Sequence, residues 1–212
     1  LDNTKKIIKS LNLKNTDKVV TTLPLSYTYG LSILNSHLFI GSSIYLNKNP
    51  ITKKDFWNIY KKFKPTIFYG VPFIYEILKR FSFKDFFNKN LRLFANAGGS
   101  ISDNLLKEII KTSLNYNIPF YQMYGQTEAS PRMSLLDPKF NLSKFNSIGK
   151  PLDGGKFQIL DSKKKIINKP YKVGELVYYG KNVCLGYCKS FKDLSSGNVN
   201  KYKLFTGDLA YF

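Results

Sequence analysis

Leu91-Arg92-Leu93-Phe94-Ala95-Asn96-Ala97-Gly98-Gly99-Ser100-Ile101-Ser102 is the stretch that decides the fold. Its first five residues form a strand that runs into the small-residue loop from Asn96 to Ser100. Ser102 then caps a helix whose apolar stripe is Leu105, Leu106, Ile109 and Ile110. Pro119 to Tyr124 follows as another strand, closed by Gly125. The same alternation recurs toward the N-terminus. Thr66-Ile67-Phe68-Tyr69 reads as a strand, and Pro72 opens a helix carrying Ile74, Ile77 and Leu78. Before it, Thr52 sits three residues ahead of Asp55 as a box-like N-cap. Phe56, Ile59, Tyr60 and Phe63 give that helix one apolar face, and Lys64-Pro65 ends it. Lys18 to Leu23 is a strand closed by Pro24, Leu31 to Ile40 a helix, and Ser43 to Leu46 a strand.

Five strands separated by helices imply an α/β fold, a mostly parallel doubly wound sheet with helices on both faces. Ligands of such sheets bind outside the carboxyl ends of the strands. The loops after Leu23, Tyr69, Ala95 and Tyr124 are therefore where chemistry is expected. From about Ser147 the pattern changes to short strands: Phe157 to Leu160, Gly174 to Tyr179 and Tyr202 to Phe205. Lys163-Lys164-Lys165, between Asp161 and Ile166-Ile167, reads as a hairpin turn. The expected division is an α/β subdomain at 1–146 and a small antiparallel β subdomain at 147–212.

The 212 residues carry 33 basic and 14 acidic side chains, a formal net charge of +19. Thirty of the basic residues are Lys and only three Arg, scattered along a chain with 19 Asn and 4 Ala. That is a usage bias over the whole sequence. Arg, the usual bidentate reader of phosphates and bases, is nearly absent, which argues against a nucleic-acid partner. No apolar run reaches the roughly 18 residues of a membrane span. Leu1-Asp2-Asn3-Thr4 opens no signal peptide. Two Cys exclude a disulfide scaffold and suit a reducing cytoplasm.

Tyr124-Gly125-Gln126-Thr127-Glu128-Ala129 directly follows a strand. An aromatic at a strand end can stack on a flat base, and Gly125 permits a sharp turn. Thr127 and Glu128 place a hydroxyl beside a carboxylate, suited to a phosphate oxygen and Mg²⁺. Phe205-Thr206-Gly207-Asp208-Leu209 places an Asp after a tight turn, where a carboxylate can accept both hydroxyls of a ribose. Each pattern also occurs in ordinary turns. His37 lies in an apolar stretch with no second His, and reads as packing. Cys184 and Cys188 have no second pair to complete a zinc site. Met123 and Phe120 read as core. Arg132, four residues after Glu128, suits a pair with that carboxylate or with a substrate.

Taken in order, these segments resemble the acyl-adenylate-forming superfamily of acyl- and aryl-CoA ligases, luciferases and peptide-synthetase adenylation domains. The family's YGxTE is similar to residues 124–128, and its TGDL to residues 206–209. Its GELxxxGxxVxxGY resembles residues 174–187 at every fixed position. Its small-residue loop resembles Ala97-Gly98-Gly99-Ser100, and its GKPxxG-like turn residues 149–154. The resemblance covers essentially the whole chain. It departs at Pro24-Leu25-Ser26-Tyr27-Thr28-Tyr29-Gly30, where the family usually carries His and this chain has Tyr27. The family's phosphate loop is expected before Leu1, and its C-terminal domain with the adenylating Lys after Phe212.

The resemblance implies the central part of an ATP-dependent carboxylate-activating ligase. It would form an acyl adenylate with ATP and Mg²⁺, then pass the acyl group to a thiol of CoA or phosphopantetheine. The 212 residues alone would bind AMP weakly and not turn over. Thr127 and Glu128 would be catalytic, with Glu128 on the metal. Gly98, Gly99, Ser100, Gln122, Met123, Tyr124, Gly125, Gln126, Thr127 and Asp208 would bind the nucleotide. Tyr27, Tyr69, Gly70, Val71 and Ser130 would line the substrate pocket. The partners would be a small carboxylic or amino acid and CoA or an acyl or peptidyl carrier protein. The rival readings are a carrier-loading enzyme, a catalytically silent adenylate-binding module and a basic nucleic-acid binder.

Overall fold

The computed structural model describes residues 1–80, 86–87 and 89–212. Helix α1 spans Asp2–Ser10, followed by β1 (Lys18–Val20), α2 (Thr28–Phe39), β2 (Ser43–Tyr45) and α3 (Lys54–Phe63). Then come β3 (Ile67–Gly70), α4 (Pro72–Arg80), β4 (Leu93–Asn96), α5 (Asp103–Tyr116) and β5 (Phe120–Tyr124). Short strands β6 (Ser134–Leu136) and β7 (Lys150–Pro151) complete a seven-stranded sheet in the order β2-β1-β3-β4-β5-β6-β7. Strands β1 to β5 pair in parallel, and β6 and β7 add antiparallel at one edge. The doubly wound α/β fold expected from the strand and helix signals is the one observed. A second, antiparallel sheet has the order β10-β9-β8, from Lys203–Ala210, Gly174–Tyr179 and Lys156–Leu160.

Buried runs explain the parallel pairing. Every residue of β3 and β4 is buried, as a sheet covered on both faces requires. Alternate side chains of β3 separate two aromatic layers. Phe68 packs with Phe86 at 4.6 Å between ring centres and with Tyr60 of α3 at 6.3 Å. Its neighbour Tyr69 faces α2, with Tyr29 at 6.2 Å and His37 at 5.8 Å. Asp17, just before β1, is locked at the base of the sheet. It accepts hydrogen bonds from Arg92 Nε at 2.6 Å, the Lys14 amide at 2.7 Å and Thr66 Oγ1 at 2.8 Å.

Several elements depart from the sequence reading. Helix α2 begins at Thr28, inside the Pro24 to Gly30 segment, with Tyr27 as its N-cap. Thr52 does not cap α3: Lys53 occupies that position and no side chain bonds there. Ser102 does occupy the N-cap of α5, yet only its carbonyl is used, by the Leu106 amide at 2.8 Å. Helix α1 has no counterpart in the sequence reading; it docks through Asn3 and Ile7 and contains a Lys6–Asp2 ion pair. The Lys163 to Lys165 segment is a turn, with the Asp161 carboxylate accepting from the Lys163 and Lys165 amides at 2.9 Å. Lys150–Pro151 pairs with β6, so the large sheet extends past residue 146 and the second sheet begins at Lys156. Strand β10 runs on to Ala210, and residues 206–208 form a bulge in it where a tight turn was expected.

Candidate functional site

Strand order reverses beside β1. From β1 the chain goes out to β2, then crosses back to β3 and onward through β4 and β5. The crevice above the carboxyl ends of β1 and β3 is the topological switch point. A cavity of about 230 Å³ opens at this end of the sheet, walled by residues 27–29 after β1, 97–98 after β4, and 125–128 with Pro131 after β5. Two glycines shape it. A Cβ on Gly125 would lie 1.8 Å from the Pro131 carbonyl oxygen, so only glycine lets the segment after β5 fold back on itself. Gly98 has φ +82°, and a Cβ there would meet the Tyr27 hydroxyl at 2.4 Å. Tyr27 therefore fills the space over the small-residue loop.

Thr127 opens a single 3-10 turn after β5 and is exposed. Its hydroxyl is 3.0 Å from that of Thr28, tying this turn to the start of α2. Glu128 is half-buried; its Oε1 accepts from Tyr187 Oη at 2.8 Å, and its carbonyl from the Cys184 amide at 2.7 Å. The Glu128 carboxylate pushes the Tyr187 phenol above its ordinary pKa. Residues 174–187 thus buttress residues 124–128. Asn182 adds a hydrogen bond to the Ala129 carbonyl at 2.6 Å.

Asp208 projects from the β10 bulge, where Gly207 has φ +74°. Its Oδ2 accepts from Tyr124 Oη at 2.5 Å and from Gln126 Nε2 at 3.0 Å. Gln126 Nε2 also donates to the Thr206 carbonyl at 2.8 Å. Burial, then the Asp208 contact, holds the Tyr124 phenol well above its usual range, so it stays a donor. Tyr124 and Asp208 also border a wider groove of about 1690 Å³ between the two sheets.

The structure gathers Tyr27, Gly98, Gly125, Gln126, Thr127 and Glu128 around the cavity, and joins Tyr124 to Asp208 in the neighbouring groove, where Gln126 reaches the same carboxylate. Gly99 and Ser100 lie exposed on the adjoining loop. Val71 approaches Gly98 from the β3 end. Gly70 is closed in by the Tyr75 ring. Tyr69 is buried behind the cavity, its hydroxyl 3.2 Å from His37 Nε2. Gln122 lies on β5 with Asn141 at 3.4 Å, and Met123 packs into the main core. Ser130 turns away, donating to the Asn182 carbonyl at 3.2 Å. Arg132 does not pair with Glu128: it is buried over the Tyr29 and Tyr69 rings. Thr28, Tyr29, Pro131 and Tyr187 take part in the site without having been singled out as site residues. Thr28 and Tyr29 were hidden by placing the helix start at Leu31, and Tyr187 belongs to a segment noted only for its spacing.

The described residues contain no group of three His, Cys, Asp or Glu side chains able to enclose a metal. A lone carboxylate at a cavity wall fits Mg²⁺, which keeps water and takes phosphate oxygens as its other ligands. Glu128 meets that description.

Fold and cavity together define a doubly wound α/β protein with a cavity at the carboxyl ends of its strands. The chain belongs to the AMP-binding enzyme family, whose sequence model matches residues 2–188. It is 30% identical over 206 residues to a 2-succinylbenzoate–CoA ligase of Bacillus cereus, covering 95% of this chain and 40% of that one. It thus spans about 40% of the length of the curated relatives it matches. Its fold matches the o-succinylbenzoate CoA synthetase of Bacillus subtilis in complex with an acyl-adenylate intermediate. The TM-score is 0.84 at 24% identity, covering 99% of this chain and 41% of that one. The same enzyme with ATP and magnesium ion gives a TM-score of 0.82 at 24% identity, with 99% and 42% covered.

Proposed function

We propose that these residues form the acid- and nucleotide-facing walls of an ATP-dependent ligase joining a small carboxylic acid to CoA. The observation that carries this reading is that Gln126, Thr127 and Glu128 wall one cavity while Gln126, together with Tyr124, donates to the Asp208 carboxylate in the adjoining groove. The substrate carboxylate attacks the α-phosphorus of ATP, and the bond to pyrophosphate breaks. The thiol sulfur then attacks the acyl carbonyl, and AMP leaves. Both steps bring together groups that repel, so the protein's work is positioning and charge stabilisation.

Asp208 accepts the ribose hydroxyls, and its partners Tyr124 and Gln126 fix its orientation. Tyr124 offers its ring to the adenine. Thr127 donates its hydroxyl to the α-phosphate, steadied by Thr28. Glu128 holds Mg²⁺, which neutralises phosphate charge when bound. Gly98, Gly99 and Ser100 form the floor beside adenine and acyl group, and Tyr27 bounds the acyl end. Relatives named as CoA ligases support CoA as acceptor; the phosphopantetheine arm of a carrier protein presents the same thiol. Two free cysteines favour a reducing compartment, and we place the enzyme in the cytoplasm.

The test is to express the protein from its complete reading frame and follow acyl-CoA formation by mass spectrometry with MgATP, CoA and a panel of acids. An acid-dependent thioester that disappears in Glu128→Gln supports the reading. ATP turnover indifferent to every acid contradicts it.

A further inference from the structure

Tyr187 is 70% exposed, so its ring adds little to any core. Its phenol donates to Oε1 of Glu128 at 2.8 Å. Among the described residues no other group donates to that carboxylate or forms an ion pair with it. The backbone that carries Tyr187 is fixed to the same turn. The Cys184 amide donates to the Glu128 carbonyl at 2.7 Å, and Asn182 Nδ2 to the Ala129 carbonyl at 2.6 Å. Between them, Val183 is 4% exposed and packs with Ala129 and Met133. Asn182 Oδ1 accepts in turn from Tyr178 Oη of β9 at 2.8 Å, and the Cys184 carbonyl from Asn200 Nδ2 at 2.9 Å. A braced arm thus runs from the small sheet to the turn after β5. The hydroxyl that it presents there is bonded to the carboxylate at the cavity wall.

We propose that Tyr187 is the positioning residue of the metal carboxylate: its hydroxyl holds one oxygen of Glu128 and so sets the side chain in place for Mg²⁺. This rests on the ligase reading above and adds a residue to its metal site. An unheld glutamate at a cavity wall samples many rotamers, and binding a metal must then order it. A hydrogen bond made before the metal arrives removes that cost. A phenol suits the task. It donates to the carboxylate and, unlike Lys or Arg, brings no positive charge to oppose the cation. Carboxylates that ligate metals are commonly held by such outer partners, whose loss weakens metal affinity or activity by about 10–100-fold.

The experiment titrates Mn²⁺, a paramagnetic substitute for Mg²⁺, into enzyme expressed from its complete reading frame and held in excess over α,β-methylene-ATP. Electron paramagnetic resonance reads the free ion. Tyr187→Phe removes only the hydroxyl of an exposed side chain, and is expected to raise the Mn²⁺ dissociation constant about tenfold or more. Metal-free binding of the analogue and the thermal melt should match the parent's. In pyrophosphate exchange the half-saturating Mg²⁺ rises by a similar factor, while the rate at saturating Mg²⁺ recovers toward the parent's. In a Glu128→Gln background the same substitution has no further effect on Mn²⁺. Unchanged or tighter Mn²⁺ binding by Tyr187→Phe overturns the proposal and leaves the ligase reading intact. So does an equal loss of metal-free analogue binding, the mark of a purely structural contact. A Glu128→Gln enzyme that binds Mn²⁺ as the parent does overturns the metal role of Glu128 and the proposal with it. Parent enzyme without acid-dependent exchange overturns the ligase reading itself.

Discussion

The phenolic oxygen of Tyr124 lies 2.5 Å from Oδ2 of Asp208, joining the end of β5 in the large sheet to the bulge of β10 in the small one. Gln126 bonds the same carboxylate oxygen and the Thr206 carbonyl, so hydrogen bonds tie three side chains from two sheets together. Charge-assisted hydrogen bonds are worth about 1.5–3 kcal/mol each. Asp208→Ala is therefore expected to weaken binding of a non-hydrolysable acyl-adenylate analogue about tenfold or more. Tyr124→Phe should also weaken it, but by much less in the Asp208→Ala background. Calorimetric titrations of the two single variants and the double variant measure this coupling. Additive losses would show that Tyr124 does not act through Asp208.

Glu128→Gln keeps the size of the side chain and removes its charge. Its contact with Tyr187 survives, because an amide oxygen still accepts. Adenylation is expected to fall steeply and to need more Mg²⁺, while metal-free AMP binding changes little. Initial rates across a Mg²⁺ series test this. An unchanged Mg²⁺ dependence would remove Glu128 from the metal.

His37 is buried, and burial followed by the nearby Arg132 charge lowers its pKa to about 4 from an ordinary 6.5. The folded protein thus binds fewer protons than the unfolded chain between these values. The stability His37 contributes is present above pH 6.5 and is lost as pH falls toward 4. The loss is roughly 3 kcal/mol at its limit. His37→Gln cannot titrate, so the difference in urea unfolding free energy between pH 7 and pH 4.5 should shrink. An equal difference in both proteins would show that another group carries the slope.

Asp17 acts in a lower window. Burial pushes its carboxyl up, but hydrogen bonds from Arg92, the Lys14 amide and Thr66 outweigh this and hold it below its ordinary 3.8. Its contribution is full above that ordinary value and is lost as pH falls through the lowered one. Arg92→Met leaves the carboxylate buried without its cation, and is expected to cost about 3 kcal/mol at pH 7. Thermal and urea unfolding of both forms check this. A variant as stable as the parent would show that the ion pair contributes nothing.

Much of the fold was legible because its strands are short, wholly apolar runs such as 67–69 and 93–95, each closed by Gly, Pro or a small-residue loop. The segments of Tyr124, Thr127 and Glu128 stood out in the sequence because a strand end, a glycine and a hydroxyl–carboxylate pair fall together there, and the structure does bring Tyr124 to Asp208. Other features depend on tertiary contacts. Helix α1 offers only a narrow docking face, through Asn3 and Ile7, and β6 is three residues long. Gly207-Asp208 looks like any turn until β9 pairs on both sides of it and makes it a bulge. Thr52 and Ser102 have capping side chains that the backbone leaves unused. Arg132 suited a pair with Glu128 or with a substrate; its actual neighbours, Tyr29 and Tyr69, come from α2 and β3.

The most direct measurement is exchange of labelled pyrophosphate into ATP, with Mg²⁺ and acid but no CoA, by the enzyme expressed from its complete reading frame. A carboxylate-activating ligase must show exchange that requires the acid, is independent of the thiol and falls sharply in both Glu128→Gln and Asp208→Ala. Exchange without acid, or exchange untouched by both substitutions, would contradict a nucleotide site built from Thr127, Glu128 and Asp208.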